Sequence, residues 1–224
     1  MSDSIQMTPE RWRTTAHYLA EVFGREDELL SELVRQARAS GLPAIAISAE
    51  VGRVLKLLAS TTQGRTAIEL GTLGGYSGIW IVRGLAPEGR LITVEAEPRH
   101  ADFAQRQFER AGLAARVEIR RGFALDVLPE LARQHGPGSI DFAFIDAVKT
   151  EYVDYWRFLR PLIAVGGLFV ADNVLGAGNW WIDSEESPQR AAVDRFNRVV
   201  AADPDFEVAA LPIREGVLVA RRIR

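Results

Sequence analysis

Short apolar runs ending on an acid or a glycine alternate with longer stretches whose apolar residues recur every three or four positions. Residues 66–70 (T-A-I-E-L) are one such run, with a single acid inside, and predict a buried strand. Gly71, Gly74 and Gly75 follow at once. Residues 77–85 then show helical spacing, broken by Pro87 and Gly89. A second apolar run, 91–94, ends on Glu95. The unit is strand, glycine loop, helix, strand, acid, which is how a doubly wound sheet binds a nucleoside.

On the N-terminal side, residues 9–39 predict two helices separated at Gly24, the first with Trp12, Ala16, Leu19, Ala20 and Phe23 in helical register. Ser48 is placed to cap a third helix, 49–60, with Val51, Val54, Leu57 and Leu58 inward. Beyond Glu95 the pattern predicts helices at 98–110, 126–133, 152–162 and 190–202, and strands at 117–120, 140–145 and 168–171. Residues 165–167 should close the third of these helices. Residues 175–187 form a polar loop holding Trp180 and Trp181. Residues 207–211 and 217–221 predict a closing antiparallel hairpin. Alternating strands and helices imply a mostly parallel seven-stranded α/β sheet, doubly wound with helices on both faces.

Composition narrows the class. With 224 residues, 47% of them hydrophobic, one well-buried domain spanning 1–224 is expected, with helices from about 9–60 packed on it. A net charge of −3 does not suggest a polyanion binder, so a nucleic-acid partner is not expected. No cysteine is present, which excludes disulfides, thiolate metal sites and a cysteine nucleophile. The start M-S-D-S-I-Q lacks the basic and apolar regions of a signal peptide, and no apolar run reaches membrane-spanning length, so a cytoplasmic protein is expected.

Ligands of such sheets gather beyond the carboxyl ends of the strands. Glu69, Glu95, Asp146, Asp172 and Asn173 all fall at or near those ends. The glycine loop reads E-L-G-T-L-G-G-Y-S rather than G-x-G-x-x-G. A carboxylate at Glu69 would repel a pyrophosphate but suits a cationic ligand. S-adenosylmethionine carries an ammonium, a sulfonium and a ribose, and no phosphate. Glu95 is placed to accept the ribose hydroxyls.

Asp146, Asp172 and Asn173 end two successive strands. Two carboxylates and an amide oxygen are hard ligands that suit Mg²⁺, Mn²⁺ or Ca²⁺. Zinc would want histidine or cysteine, and His17, His100 and His135 form no motif. Each residue also has a local reading: Asp172 and Asn173 turning the next loop, and Asp146 capping the helix that holds Tyr152. Lys149 lies three residues past Asp146. Beside a metal and a cationic cofactor its charged form is disfavoured, which suits it to take a proton from an acceptor hydroxyl.

Several stretches together resemble the cation-dependent O-methyltransferases of the caffeoyl-CoA and catechol type. They are A-I-E-L-G-T-L-G-G-Y-S-G, I-T-V-E, F-I-D-A-V-K, G-G-L-F-V-A-D-N-V-L and L-P-I-R-E-G-V-L-V-A-R-R. The resemblance implies a class I, Rossmann-like methyltransferase fold and S-adenosylmethionine as cofactor. The backbone near Ile47 and at Gly71 and Thr72, with Ser77, would hold the methionine part. Glu95 would bind the ribose, and Gly122 with Ala124 would frame the adenine. Asp146 would serve both cofactor and metal, Asp172 and Asn173 the metal, and Lys149 would be the base. It also implies a homodimer and a small hydroxylated aromatic acceptor.

Two departures concern the acceptor. Val148 stands where relatives commonly carry an acid, and Gly176 and Ala177 stand where many carry Trp and a polar residue. Trp180 and Trp181 either wall the acceptor pocket or pack under the loop or at a subunit contact. The rival readings are a tRNA hydroxyuridine methyltransferase with the same site, an NAD-binding oxidoreductase, and a non-catalytic binding module. Glu69 and the missing G-x-G-x-x-G speak against the second, and Lys149 would have no task in the third.

Overall fold

The computed structural model describes residues 8–178, 180–183 and 187–224. The M-S-D-S-I-Q start and residues 179 and 184–186 of the polar loop lie outside them. Helices α1 (Pro9–Phe23), α2 (Glu28–Ala39) and α3 (Ala49–Thr62) precede the sheet. Alternation then begins with β1 (Thr66–Leu70), α4 (Tyr76–Gly84), β2 (Arg90–Glu95), α5 (Pro98–Arg110), β3 (Val117–Arg121) and α6 (Ala124–Gln134). It continues with β4 (Ile140–Ile145), α7 (Tyr152–Leu159) and β5 (Ile163–Asp172). A two-residue ladder, β6 (Gly176–Ala177) with β7 (Trp180–Trp181), lies inside the polar loop. Helix α8 (Pro188–Ala201) and the hairpin β8 (Phe206–Leu211) and β9 (Val217–Arg222) complete the chain.

The seven-stranded sheet runs β3-β2-β1-β4-β5-β9-β8. Pairs from β3 through β5 are parallel, and β9 runs antiparallel to both β5 and β8. The winding reverses between β1 and β4, and a crevice opens at such a switch point. Here the glycine loop crosses β4 at close range. A Cβ on Gly71, whose φ is +96°, would sit 2.2 Å from the Asp146 carbonyl oxygen, so only glycine fits.

Sheet side chains alternate between two apolar layers. Ile68, Leu70, Ile92, Val94, Ala143 and Ile145 meet Leu128, Tyr152, Trp156 and Phe196 of α6, α7 and α8. Ala67, Leu91, Phe142 and Phe144 meet Leu33, Val51, Ile79, Ile81 and Phe108 of α2 to α5. Helix α1 buries none of its residues, and Trp12, Tyr18, Val22 and Phe23 stand exposed.

The structure corrects three details. The inward face of α3 is Val51, Gly52, Leu55 and Ala59, while Leu57 is exposed. Glycines set that face by close helix packing: a Cβ on Gly52 would meet the Trp80 ring at 2.3 Å, and one on Gly84 the Lys56 carbonyl at 2.4 Å. Strand β5 starts at Ile163, well before 168, because its register with β4 shifts between Ile140 and Phe142. That irregularity takes Gly166, at φ +85°, into the strand. Residues 165–167 are therefore part of β5, and Pro161 sits in a 3-10 turn that ends the helix early.

Candidate active site

A cavity of about 930 Å³ opens at the switch point. Ile47, Gly71, Thr72, Ser77 and Glu95 line it, as do Gly122, Ala124, Asp146, Lys149 and Asn173. Two expected site residues, Glu69 and Asp172, are not on its wall: Glu69 is fully buried and Asp172 is 6% exposed.

Glu95 ends β2 and has a task that sequence reasoning did not assign. Its Oε2 accepts from the backbone N–H of Leu73 (2.8 Å) and of Thr72 (3.2 Å), and its Oε1 from that of Glu97 (2.9 Å). Leu73 reaches it by taking a left-handed conformation, φ 46°. Glu95 therefore folds the glycine loop. An ionised carboxylate has about four acceptor sites; three are used by backbone, which leaves room for a ribose hydroxyl.

Beneath the loop lies a chain of hydroxyls around Glu69. Ser77 Oγ donates to Glu69 Oε1 and Thr93 Oγ1 to Oε2, both at 2.6 Å. Thr72 Oγ1 lies 2.6 Å from Thr93 Oγ1. Thr93 spends its one proton on Glu69, so Thr72 is the donor of that pair. Thr72 and Ser77 thus turn their protons inward and offer lone pairs to the cavity, which suits an ammonium. Burial, opposed by these two hydrogen bonds, pushes the Glu69 carboxyl up to about 7. Thr93 was legible only as a polar residue in an apolar run.

The other half of the site gathers the acids after β4 and β5. Lys149 Nζ donates to Asp146 Oδ1 (2.6 Å) and to Tyr152 Oη (2.7 Å). Tyr152 Oη donates on to the Asp172 carbonyl (3.1 Å). Tyr152 is fully buried, and burial followed by the charges of Asp146 and Asp172 holds its phenol protonated, well above the usual range. Burial first, and then the charge of Asp146, push the Asp172 carboxyl up to about 7, against the pull of Lys149. Asn173 follows at φ 58°, a conformation asparagine tolerates better than most residues.

No group of three or more His, Cys, Asp or Glu among the described residues is built to hold a metal. The set here is two acids and an amide. Those are hard oxygen donors, and Lys149 pairs with only one of the two acids, which leaves an excess of negative charge, so the residues fit a hard divalent ion. Val148 and Trp180 also line the cavity, whereas Trp181 lies 40% exposed over Gly176.

A seven-stranded, mostly parallel sheet with one antiparallel strand, a glycine loop at its switch point and an acid ending β2 defines a class I methyltransferase fold. The sequence matches the O-methyltransferase family over residues 20–223. It is 38% identical over 205 residues to a catechol O-methyltransferase of Niastella koreensis, covering 92% of each chain. It is 31% identical to a caffeoyl-CoA O-methyltransferase of Pinus taeda, covering 90% of this chain and 81% of that one. The crystal structure of an O-methyltransferase from Bacillus cereus in complex with SAH superposes with a TM-score of 0.85 at 35% identity, covering 95% of this chain and 99% of that one. The chain belongs to this O-methyltransferase family and is an S-adenosylmethionine-dependent transferase of the caffeoyl-CoA and catechol type. No helix among the described residues is long and apolar enough to cross a membrane.

Proposed function

We propose that the protein methylates one hydroxyl of a small catechol-like acceptor, working in the cytoplasm as a homodimer, with a divalent cation held by Asp146, Asp172 and Asn173. The observation that carries this reading is the charge of the acidic end: of two carboxylates at the ends of neighbouring strands, the Lys149 ammonium pairs with Asp146 and not with the nearly buried Asp172. Mg²⁺ is the first choice, with Mn²⁺ or Ca²⁺ as hard alternatives. Bound there, such an ion supplies the positive charge that makes a coordinated hydroxyl more acidic.

S-adenosylmethionine supplies the electrophilic methyl group. Thr72 and Ser77 accept from its ammonium, and Glu95 accepts from its ribose. Helix α3 begins at the wall, where Ile47, Ser48 and Ala49 line the cavity. The Ser48 hydroxyl is buried and has no partner among the described residues. A helix N-terminus of this kind favours an anion, here the methionine carboxylate. Glu69 supports the site from behind, through Ser77 and Thr93.

Attack on a sulfonium methyl needs an oxygen that has lost its proton. Lys149 reaches into this end of the cavity, fixed by Asp146 and Tyr152, and in its neutral amine form, once its own proton has left, it is the group placed to take that proton. The exposed Trp12, Tyr18, Val22 and Phe23 of α1 form the face we assign to the second subunit. EDTA is expected to abolish methyl transfer to catechol, and Mg²⁺ to restore it. Asp172→Ala is expected to lose the ion-dependent rate while still binding S-adenosylhomocysteine in calorimetry. Full activity in EDTA would sink the ion assignment.

A further inference from the structure

Among the described residues, four that are not glycine hold left-handed backbone: Gln63, Leu73, Asn173 and Arg214, at φ 48°, 46°, 58° and 49°. Gln63 caps the end of α3, an ordinary use of that conformation. The other three all line the cavity. Leu73 uses it to bring an N–H to Glu95, and Asn173 stands at the end of β5. Arg214 opens the hydrogen-bonded turn of the β8–β9 hairpin, a place where positive φ is common but where glycine or asparagine usually stands. Glycine is the default in such a position, and Gly216 stands two residues on in the same turn. Outliers of this sort persist where the surrounding structure over-determines them, and they collect at ligand sites.

The turn that carries Arg214 is tied to the segment that follows Asn173. Val174 N donates to the Gly216 carbonyl (3.0 Å), and Leu175 N to the Glu215 carbonyl (2.8 Å). Gly216 N closes the turn on the Ile213 carbonyl (2.9 Å). The backbone of Arg214 is therefore fixed relative to Asp172 and Asn173. Its Nε lies 3.2 Å from Glu215 Oε2, and among the described residues its side chain has no other hydrogen bond or ion pair. A pair of chain neighbours, half-open to solvent, contributes little and does not account for an arginine at this turn position. Val148 and Trp180 line the same cavity as Lys149 and Arg214 and suit an aromatic ring.

We propose that Arg214 is a specificity residue that recognises a carboxylate on the acceptor, so that the preferred substrate is a vicinal-dihydroxy aromatic acid. This rests on the reading of the site as a catechol-type methyltransferase. The hydroxyls lie at Lys149 and the acids, the ring lies against Val148 and Trp180, and the carboxylate meets the guanidinium. The planar fork of arginine matches a carboxylate with two parallel hydrogen bonds, which an ammonium cannot do.

The test compares kcat and KM for catechol, 3,4-dihydroxybenzoate and caffeoyl-CoA in the wild type, Arg214→Gln and Arg214→Gly, with S-adenosylmethionine and Mg²⁺ present. Both variants are expected to lower kcat/KM for 3,4-dihydroxybenzoate by about 10–100-fold, mainly through KM, with catechol changed less than about twofold. Arg214→Gly, which relieves the left-handed strain, is also expected to raise Tm. An equal loss for catechol and 3,4-dihydroxybenzoate, or no loss for either, would overturn the proposal. So would a loss confined to caffeoyl-CoA, which would place phosphate rather than carboxylate at Arg214. Turnover of catechol itself tests the underlying reading separately. Should neither catechol nor 3,4-dihydroxybenzoate turn over, calorimetric titration of 3,4-dihydroxybenzoate into protein loaded with S-adenosylhomocysteine and Mg²⁺ decides. Binding that Arg214→Gln abolishes supports the proposal; absent binding, or binding that ignores the substitution, overturns it.

Discussion

The two halves of the cavity meet at the switch point and solve opposite electrostatic problems. On the cofactor side both buried carboxylates already have their partners in the chain. Glu69 is held by Ser77 and Thr93, and Glu95 by three backbone N–H groups. On the acceptor side Lys149 pairs with Asp146 alone of the two acids, and burial with the charge of Asp146 pushes the Asp172 carboxyl up to about 7. The first half is preorganised, so that binding there spends little on rearrangement. The second is left short of positive charge and is completed by what binds. A site that must hold its cofactor in one pose and yet change charge during the reaction is well served by this division.

Removing the lysine paired with Asp146 should have the largest effect. Lys149→Ala is expected to lower kcat on catechol by about 10²–10⁴, the scale of a lost general base, while S-adenosylhomocysteine affinity in calorimetry stays within about twofold. Lys149→Arg should not restore the rate, because arginine keeps its proton. Near wild-type turnover by Lys149→Ala at neutral pH would make the lysine a bystander.

The halves should separate next in the pH dependence of stability. Glu69 and Asp172 both have carboxyl groups raised to about 7, from 4.5 and 3.8. A group whose folded value is raised binds its proton more tightly in the folded state. Stability is therefore lost as pH climbs from the unfolded value to about 7, and levels off above it. For Glu69 the loss across that window is about 3 kcal/mol at 1.36 kcal/mol per unit. Urea unfolding at pH 5 and pH 8 should show it, and Glu69→Gln should reduce the difference. Saturating Mg²⁺ should cancel the part that belongs to Asp172 and leave the Glu69 part in place. An unchanged difference in Glu69→Gln would show that Glu69 does not titrate in this range.

Glu95→Gln sharpens the same contrast on the cofactor side. It keeps the shape but replaces one acceptor oxygen with a donor, facing either the loop N–H groups or the Glu97 N–H. Cofactor affinity is expected to fall by about 1.5–3 kcal/mol, measured by calorimetry, with the Mg²⁺ dependence of kcat unchanged. A shift in the ion dependence would mean that the halves are coupled through the glycine loop.

The smallest effect expected is on assembly. Trp12→Ser with Phe23→Ser should shift the protein toward monomer in light scattering at micromolar concentration, with the cavity residues untouched. A wild type that is already monomeric would leave the exposed face of α1 to another partner.

Much of this was legible in the residues themselves. Strand and helix order, the closing hairpin and the strand ends bearing Glu95, Asp146 and Asp172 all follow from the period of apolar positions and from glycine and proline breaks, which are local properties. The features that required the folded chain are contacts between residues far apart in sequence. Helix α3 turned Leu57 outward because Gly52 and Gly84 let two helices approach closely. Glu69 bonds Thr93 from a neighbouring strand, and Glu95 folds the loop 22 residues before it. Arg214 read as one charge in a hairpin turn, since neither its left-handed backbone nor its tie to the segment after Asn173 leaves any periodic mark. Periodicity reports which face of an element meets the core; which partner waits there is decided only when the sheet brings distant strand ends together.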